Sequence, residues 1–250
     1  HKEYRRQRQM CIRDRYKYAS IPQLYQGPQS ISLIEIDPVA GLKVGVAVSD
    51  KMKETSKIAS EYNAIAAING SYFDMKRGNS VCFLKADRQI IDTTMQSEFK
   101  LRVTGAINVR KGKIKLIPWS KQIEKEYEGE TGMVLASGPL MLKDGQICDW
   151  NSCGANFIRT KHPRSAVATT KEGKILLITV DGRFPEQAEG VNIPELAHLI
   201  RILGGEDALN LDGGGSTTLW LSGASDDGVV NYPCDNGRFD HAGERKVPNI

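Results

Sequence analysis

ILLITVDGRFPEQAEGVNIPELAHLIRILGGEDALNLDGGGSTTLWL, residues 175–221, is a strand, a helix and a second strand in succession, and the fold turns on it. Ile175–Val180 is apolar at nearly every position, as expected of a strand covered on both faces, and it stops at Asp181-Gly182-Arg183. Asn192 then stands three residues before Glu195, a capping-box start. Ile193, Leu196, Ala197, Ile200 and Leu203 follow on one helical face, and Gly204-Gly205 ends the helix. The strand ALNL comes next and stops at Asp212-Gly213. A strand, helix and strand in this order form a crossover that returns the chain parallel to its starting direction. Asp181 and Asp212 are therefore expected at one edge of a sheet, beyond the carboxyl ends of strands, where ligands bind in α/β folds.

Working outward, Ser165–Thr170 and Ile175–Val180 read as a hairpin around KEGK. Ile31–Ile36 and Leu42–Val48 are strand-like, the second by the alternation of Val44, Val46 and Val48. Glu54–Tyr62 reads as a short helix. The run AIAAING supplies a third strand ending at Asn69-Gly70, so that Asn69, Asp181 and Asp212 converge. Val81–Trp119 reads as successive short strands with turns at Ala86-Asp87 and Lys111-Gly112, and Lys121–Glu128 as a charged, solvated helix. The fold class is α/β (α+β), a mixed β-sheet core with a βαβ crossover and helices packed on the sheet.

A chain of 250 residues buries one substantial core, and 40% hydrophobic with 26% charged residues is ordinary for a globular protein. The net charge of +4 comes from the head: residues 1–18 carry seven Lys/Arg against two Asp/Glu, which leaves the rest at −1. The body is not basic, and no nucleic-acid partner is expected. The head lacks an apolar h-region, and its string RQMCIRDR resembles translated adapter sequence, so residues 1–18 are set aside as non-native or disordered. Residues 19–250 are expected to form one domain that stops short of its last strand. No run of about 18 apolar residues predicts a membrane-spanning helix.

DGGGS, residues 212–216, meets neither phosphate-loop spacing, and the β-branched, apolar STTLWL follows where a nucleotide fold requires a helix. It fits a tight turn whose bare backbone admits a ligand. Arg164 stands directly before a strand and Arg183 directly after one. Two such guanidinium groups near the aspartates would clamp a phosphodiester bidentately. Cys148 and Cys153, in CDWNSC, are read as free or disulfide-bonded rather than as zinc ligands with His162, because no fourth ligand follows.

AINGSYFD, ASGPLML, HPRSAV, VDGR, ELAHLIRILGGEDALNLDGGGSTTL, and NYPCDN leading to GERKVPN occur in this order over residues 30–250. Together they resemble the phosphodiester glycosidase family. The resemblance implies hydrolysis of the bond between a sugar's anomeric carbon and a phosphodiester oxygen, in a phosphorylated glycan or an envelope polysaccharide. It implies a secreted, periplasmic or cell-envelope location, with neither cofactor nor metal. Carried onto this chain, the catalytic residues would be Asp212, Glu244 and Asp181. The substrate-binding residues would be Asn69, Gly70, Tyr72, Phe73, Ser137, Gly138, Arg164, Arg183, Gly213, Gly214, Gly215, Ser216, Thr217 and Arg245. Ser71 stands where a second glycine is common, and Cys234 where serine is frequent.

The leaving group of such a reaction is a phosphate monoester, already acidic, so charge stabilisation matters more than the protonation ordinary glycosidases require. Arg164 and Arg183 would hold the phosphate, and Asp212 would activate water or attack the anomeric carbon, with Glu244 or Asp181 as second acid/base. Two other readings belong beside this one. A non-catalytic glycan-binding module would bind without releasing sugar, and a metal-dependent phosphodiesterase would use Asp181, Asp212 and Asp74 as ligands.

Overall fold

Every residue of Ile175–Val180 is buried, and its side chains enter two cores alternately: Ile175 and Leu177 one, Leu176, Ile178 and Val180 the other. The structure, a computed structural model, describes residues 15–37, 41–86, 88–127 and 132–250. Its first half contains strands β1 (Tyr16–Leu24), β2 (Gly27–Ile36) and β3 (Val48–Glu54), helix α1 (Thr55–Glu61), and strands β4 (Ala66–Ile68), β5 (Leu84–Ala86) and β6 (Gln89–Asp92). Helix α2 (Gln96–Leu101), strands β7 (Gly105–Arg110) and β8 (Lys113–Pro118) and helix α3 (Lys121–Lys125) follow. The second half contains β9 (Met133–Ser137), β10 (Leu140–Lys143), β11 (Gln146–Ile147), α4 (Ala155–Arg159), β12 (Arg164–Thr170) and β13 (Ile175–Val180). It ends with α5 (Ile193–Ile202), β14 (Gly205–Asn210), β15 (Leu219–Leu221) and β16 (Lys246–Asn249).

The main sheet has the order β1-β2-β13-β12-β14-β10-β11, and a second sheet the order β6-β5-β9-β7-β8. The second sheet packs Leu84, Ile107, Val109 and Leu135 against Ile34, Val167, Leu177 and Leu209 of the main one. On the opposite face of the main sheet, α5 sets Ile193, Leu196, Ala197 and Ile200 against Ala166, Leu176, Ile178 and Ala208. A fully buried Leu or Ile contributes about 1.5–3 kcal/mol. This face, more than the intrinsic propensity of a ten-residue helix, holds α5 in place.

The crossover has the expected direction. β12 pairs antiparallel with both β13 and β14, so those two strands run parallel to each other with β12 between them. Strand directions in the sheet are mixed in that sense alone, since each described pairing of neighbours is antiparallel.

Several sequence expectations shift. AIAAING forms β4, but β4 pairs with β15 outside the main sheet. Of Leu42–Val48 only Val48 lies in a strand; Val44 N–H reaches Gly112 O, and Ala47 exchanges both backbone bonds with Ile250, too little for a ladder. The interval Val81–Trp119 contains α2 as well as strands, because Gln96–Leu101 offers too short a window for a 3.6-residue period to stand out. Leu203 follows the last helical residue and is exposed. Tyr16–Tyr18, inside the excluded head, belongs to β1 and pairs with β2, whereas residues 1–14, with Cys11, lie outside the described residues, as do Asp87 and Glu128. The closing KVPN is β16, paired with β3. Among the described residues no helix is long and apolar enough to cross a membrane.

Asn192 Oδ1 accepts the Glu195 N–H at 2.9 Å, and Glu195 Oε2 accepts the Asn192 N–H at 2.9 Å. Asn192→Ala leaves the first turn of α5 without this cap and should lower stability by about 1 kcal/mol, read as a shifted urea midpoint at constant slope.

Candidate functional site

Because β12 runs against its neighbours, its start lies where β13 and β14 finish: Arg164 is opposite Val180, and Ala166 is opposite Asn210. Arg164, Asp181 and Asp212 thereby reach one sheet edge, as the crossover requires. Asn69 arrives from β4. Its Nδ2 donates to the Asp212 carbonyl at 2.7 Å, while its Oδ1 accepts from Ser165 Oγ at 2.6 Å and from the Thr218 N–H at 3.1 Å. Asp212 N–H donates to Gly70 O, and at Gly70 any Cβ would collide with Asn249 of β16. The Asn69-Gly70 pair therefore positions the turn from behind.

Each of the three glycines has its own neighbour. A Cβ on Gly213 would lie 2.5 Å from Pro163 O, the acceptor of the Gly214 N–H. Gly214 has φ +61°, and a Cβ there would lie 2.9 Å from Arg183 Nη2. At Gly215 a Cβ would strike both members of the Arg245–Asp235 ion pair. The turn is thus overhung by Arg183 on one side and by Arg245 on the other, at a separation that leaves no room for side chains.

The carboxylates named from sequence have three different environments. Asp212 is half-buried: burial raises its pKa, while the Ser216 hydroxyl, Arg102, the Gly213 N–H and Arg245 pull it back. Asp181 is 0% exposed, and its oxygens accept from Ser30 Oγ at 2.6 Å, Asn231 Nδ2 at 2.8 Å and the Tyr232 N–H at 3.0 Å. Burial pushes it up to about 6 against these donors. Asn231 also donates to Thr217 O and accepts the Leu219 N–H, so Asp181 supports the far end of the glycine turn through Asn231. Glu244 accepts the Ser56 N–H at 3.0 Å and Ser56 Oγ at 2.6 Å, which seals the start of α1. Both oxygens of Asp181 and of Glu244, the two further carboxylates expected to be catalytic, are engaged by protein donors.

Arg164, expected to hold the phosphate, is enclosed as well. It is 2% exposed, with Nε donating to Val191 O at 3.1 Å and Nη2 to Phe157 O and Thr160 O at 3.0 and 2.8 Å. Burial lowers its pKa to about 10. It fastens α4 and the Val191 loop to β12. Arg183 is exposed, with Nη1 3.7 Å from Cys234 Sγ. Arg245 is bound bidentately to Asp235, at 3.1 and 2.5 Å. Tyr72 is 2% exposed and donates to Gly138 O at 2.6 Å, Ser137 Oγ donates to Asn210 O at 3.0 Å, and Phe73 packs with Ala47, Ile58 and Val247. Ser216 and Thr217 are buried beneath the turn. Three residues of the neighbourhood were not named from sequence. Asn231 and Asp235 lie within the quoted NYPCDN, and Arg102 gives no signal at all, being one cation among many outside any motif.

The three aspartates that a metal-dependent phosphodiesterase would need are not gathered, since Asp74 accepts the N–H groups of Lys76 and Arg77 in its own turn while Asp181 is enclosed. Among the described residues no three His, Cys, Asp or Glu side chains are placed to hold a metal. Cys148 and Cys153 are free thiols.

The family model described as phosphodiester glycosidase matches residues 62–250. The mouse N-acetylglucosamine-1-phosphodiester alpha-N-acetylglucosaminidase is 24% identical over 185 residues, covering 68% of this chain and 33% of that protein. The human protein of that name is 24% identical over 202 residues, covering 74% and 36%. The chain thus spans about a third of the length of these relatives. Among solved structures, the zebrafish catalytic domain of that name, auto-inhibited by its pro-peptide, superposes with TM-score 0.68 at 20% identity, covering 94% of this chain and 80% of that one. A hypothetical protein from Synechocystis gives 0.64 at 15%, covering 94% and 60%. These likenesses fix the fold.

Asp181 tests the supporting role. Its folded pKa lies above the ordinary 3.8, so its contribution to stability is full below that value and is lost as pH rises through about 6. Asn keeps Asn231 and Tyr232 as donors to one oxygen and turns its NH2 toward Ser30 Oγ, whose hydroxyl can accept, all without a charge. Asp181→Asn should therefore gain stability relative to wild type between pH 4 and pH 7, by up to about 3 kcal/mol, and keep most of its activity; parallel stability curves, or lost turnover in a folded variant, would refute this.

Proposed function

The chain belongs to the phosphodiester glycosidase family, and from that premise we propose that it hydrolyses the anomeric C–O bond of a sugar-1-phosphodiester, of the N-acetylglucosamine-1-phosphate type, in a glycan or envelope polysaccharide. The observation that carries this reading is Asp212, held half-buried on a glycine turn that Arg183 and Arg245 overhang. A sugar at the half-buried Gly213-Gly214 end of the turn brings its anomeric carbon to the carboxylate and its phosphate toward the cations.

Water activated by Asp212 forms the new bond to the anomeric carbon and gives a proton to the carboxylate. The old C–O bond breaks with its electron pair passing to the phosphate oxygen. The departing phosphate monoester is a weak enough base to leave without a general acid, which suits a site whose other nearby carboxylates serve as structural acceptors. Asp235 is held by Arg245, Glu244 by Ser56, and Asp181 by three donors. Arg183 meets the charge that develops on the phosphate, and a cation placed where charge appears lowers the barrier.

Hydrolysis of a panel of sugar-1-phosphodiesters in oxygen-18 water, with and without chelator, tests the reading. Label in the sugar with chelator-insensitive turnover is expected. Label in the phosphate would mean a phosphodiesterase, and saturable binding with no released sugar a glycan-binding module. Asp212→Asn should lower turnover by about 10²–10⁴-fold with its circular dichroism unchanged. Gly214→Val, which forces a β-branched residue to φ +61° against Arg183, should also lose turnover while the core stays folded; an active variant would reduce the motif to an ordinary turn.

A further inference from the structure

Arg102 follows α2, and its carbonyl lies so close to Gly138 that any Cβ there would collide with it. Its guanidinium lies 3.5 Å from the centroid of the Tyr72 ring, and Nε donates to Glu98 Oε2 at 2.7 Å. Tyr72 cannot swing away, because its hydroxyl donates to Gly138 O and Leu211 O and accepts from Asn210 Nδ2 at 2.8 Å. One face and one edge of the guanidinium are therefore fixed, while the side chain remains 21% exposed. Among the described residues no hydrogen bond engages either terminal nitrogen. The Tyr72 hydroxyl under this guanidinium reaches Leu211 O at 3.2 Å, the carbonyl directly before Asp212, so the fixed guanidinium belongs to the Asp212 end of the site.

The contrast with the other arginines decides the assignment. Arg164 is enclosed with three carbonyls, and Arg245 is taken by Asp235. Arg183 is exposed on the outer side of the turn. A guanidinium with a fixed plane and two unengaged terminal nitrogens is the shape that binds phosphate oxygens in a fork, and little side-chain entropy remains to be lost.

We propose that Arg102 is the inner phosphate-binding residue of this site, its terminal nitrogens taking the non-bridging oxygens of the substrate phosphate beside Asp212 while Arg183 covers the outer side. The identity of the substrate rests on the glycosidase reading; the anion site does not. As the anomeric C–O bond breaks, its electron pair raises the phosphate from one negative charge toward two, so the fixed guanidinium binds the transition state more tightly than the substrate. Ser137-Gly138 then has a function in the site without touching substrate, since the bare Gly138 seats Arg102.

Inorganic phosphate is the direct probe, by calorimetry on wild type, Arg102→Ala and Arg102→Lys. Phosphate affinity should fall at least tenfold in the alanine variant and by less in the lysine variant. On a sugar-1-phosphodiester the alanine variant should lose about 10²–10³-fold in kcat/KM, mostly in kcat, and added methylguanidinium should restore part of it. Phenylglyoxal modification of the wild-type protein needs no variant: Arg102 should react, and phosphate should protect it. A folded Arg102→Ala protein that binds phosphate as wild type does, or Arg102 modified equally with and without phosphate, overturns the proposal. Phosphate binding that depends on Arg102 in a protein that releases no sugar keeps the anion site and overturns the glycosidase reading instead.

Discussion

The side-chain amide of Asn69 joins its own strand end to two stretches far away in sequence, the start of β12 and both ends of the glycine turn. Its nitrogen donates to the Asp212 carbonyl, and its oxygen accepts from Ser165 at the start of β12 and from Thr218 beyond the glycine turn. Asn69 is itself 0% exposed. A buried amide of this kind must satisfy donor and acceptor at once, because an unmatched polar atom in such a place costs about 1–3 kcal/mol. Its orientation is therefore dictated by three partners, and it dictates in turn where the Asp212 backbone lies. The glycine turn is free of side chains and would otherwise have many conformations.

Around that fixed point, the same residue types take different parts according to how many protein groups already engage them. Asp181 and Asp212 both follow a strand of the crossover and are both raised by burial. Three donors enclose the first, whereas the second receives one backbone N–H at 2.9 Å, has the Ser216 hydroxyl beside it and keeps a half-buried face. The arginines divide in the same way. Arg164 reaches two carbonyls at α4 and adds a second donor to Val191 O, a structural service suited to a long, forked donor. Arg183 has a backbone at φ +69° and lies over the one glycine of the turn with positive φ.

Much of this was legible in the sequence, and its limits have physical causes. The crossover could be read because ILLITV is apolar on both faces and α5 carries a full capping box, two signals that come from local geometry. The site edge could be read because strand ends follow from strand direction. What a side chain does at that edge could not, since Asp-Gly and isolated Arg look alike in sequence whether three partners surround them or none. Arg102 illustrates this: its fixed plane comes from Tyr72, thirty residues earlier, and its seat from Gly138, thirty-six residues later. Leu42–Val48 shows the converse, where alternation signals a buried face but does not supply a neighbouring strand to complete the ladder.

The antiparallel β12 between two parallel strands gives the sheet two edges of unlike character. One gathers Arg164, Asp181 and Asp212; the other bears the exposed hairpin turn Lys171–Gly173 and the exposed Gly204 beyond α5, around which nothing lies within 4 Å of where a Cβ would be. Changes of loop length at the second edge leave the register of all three strands intact. A segment lengthened, tagged or joined to another protein there would meet solvent rather than the gathered aspartates.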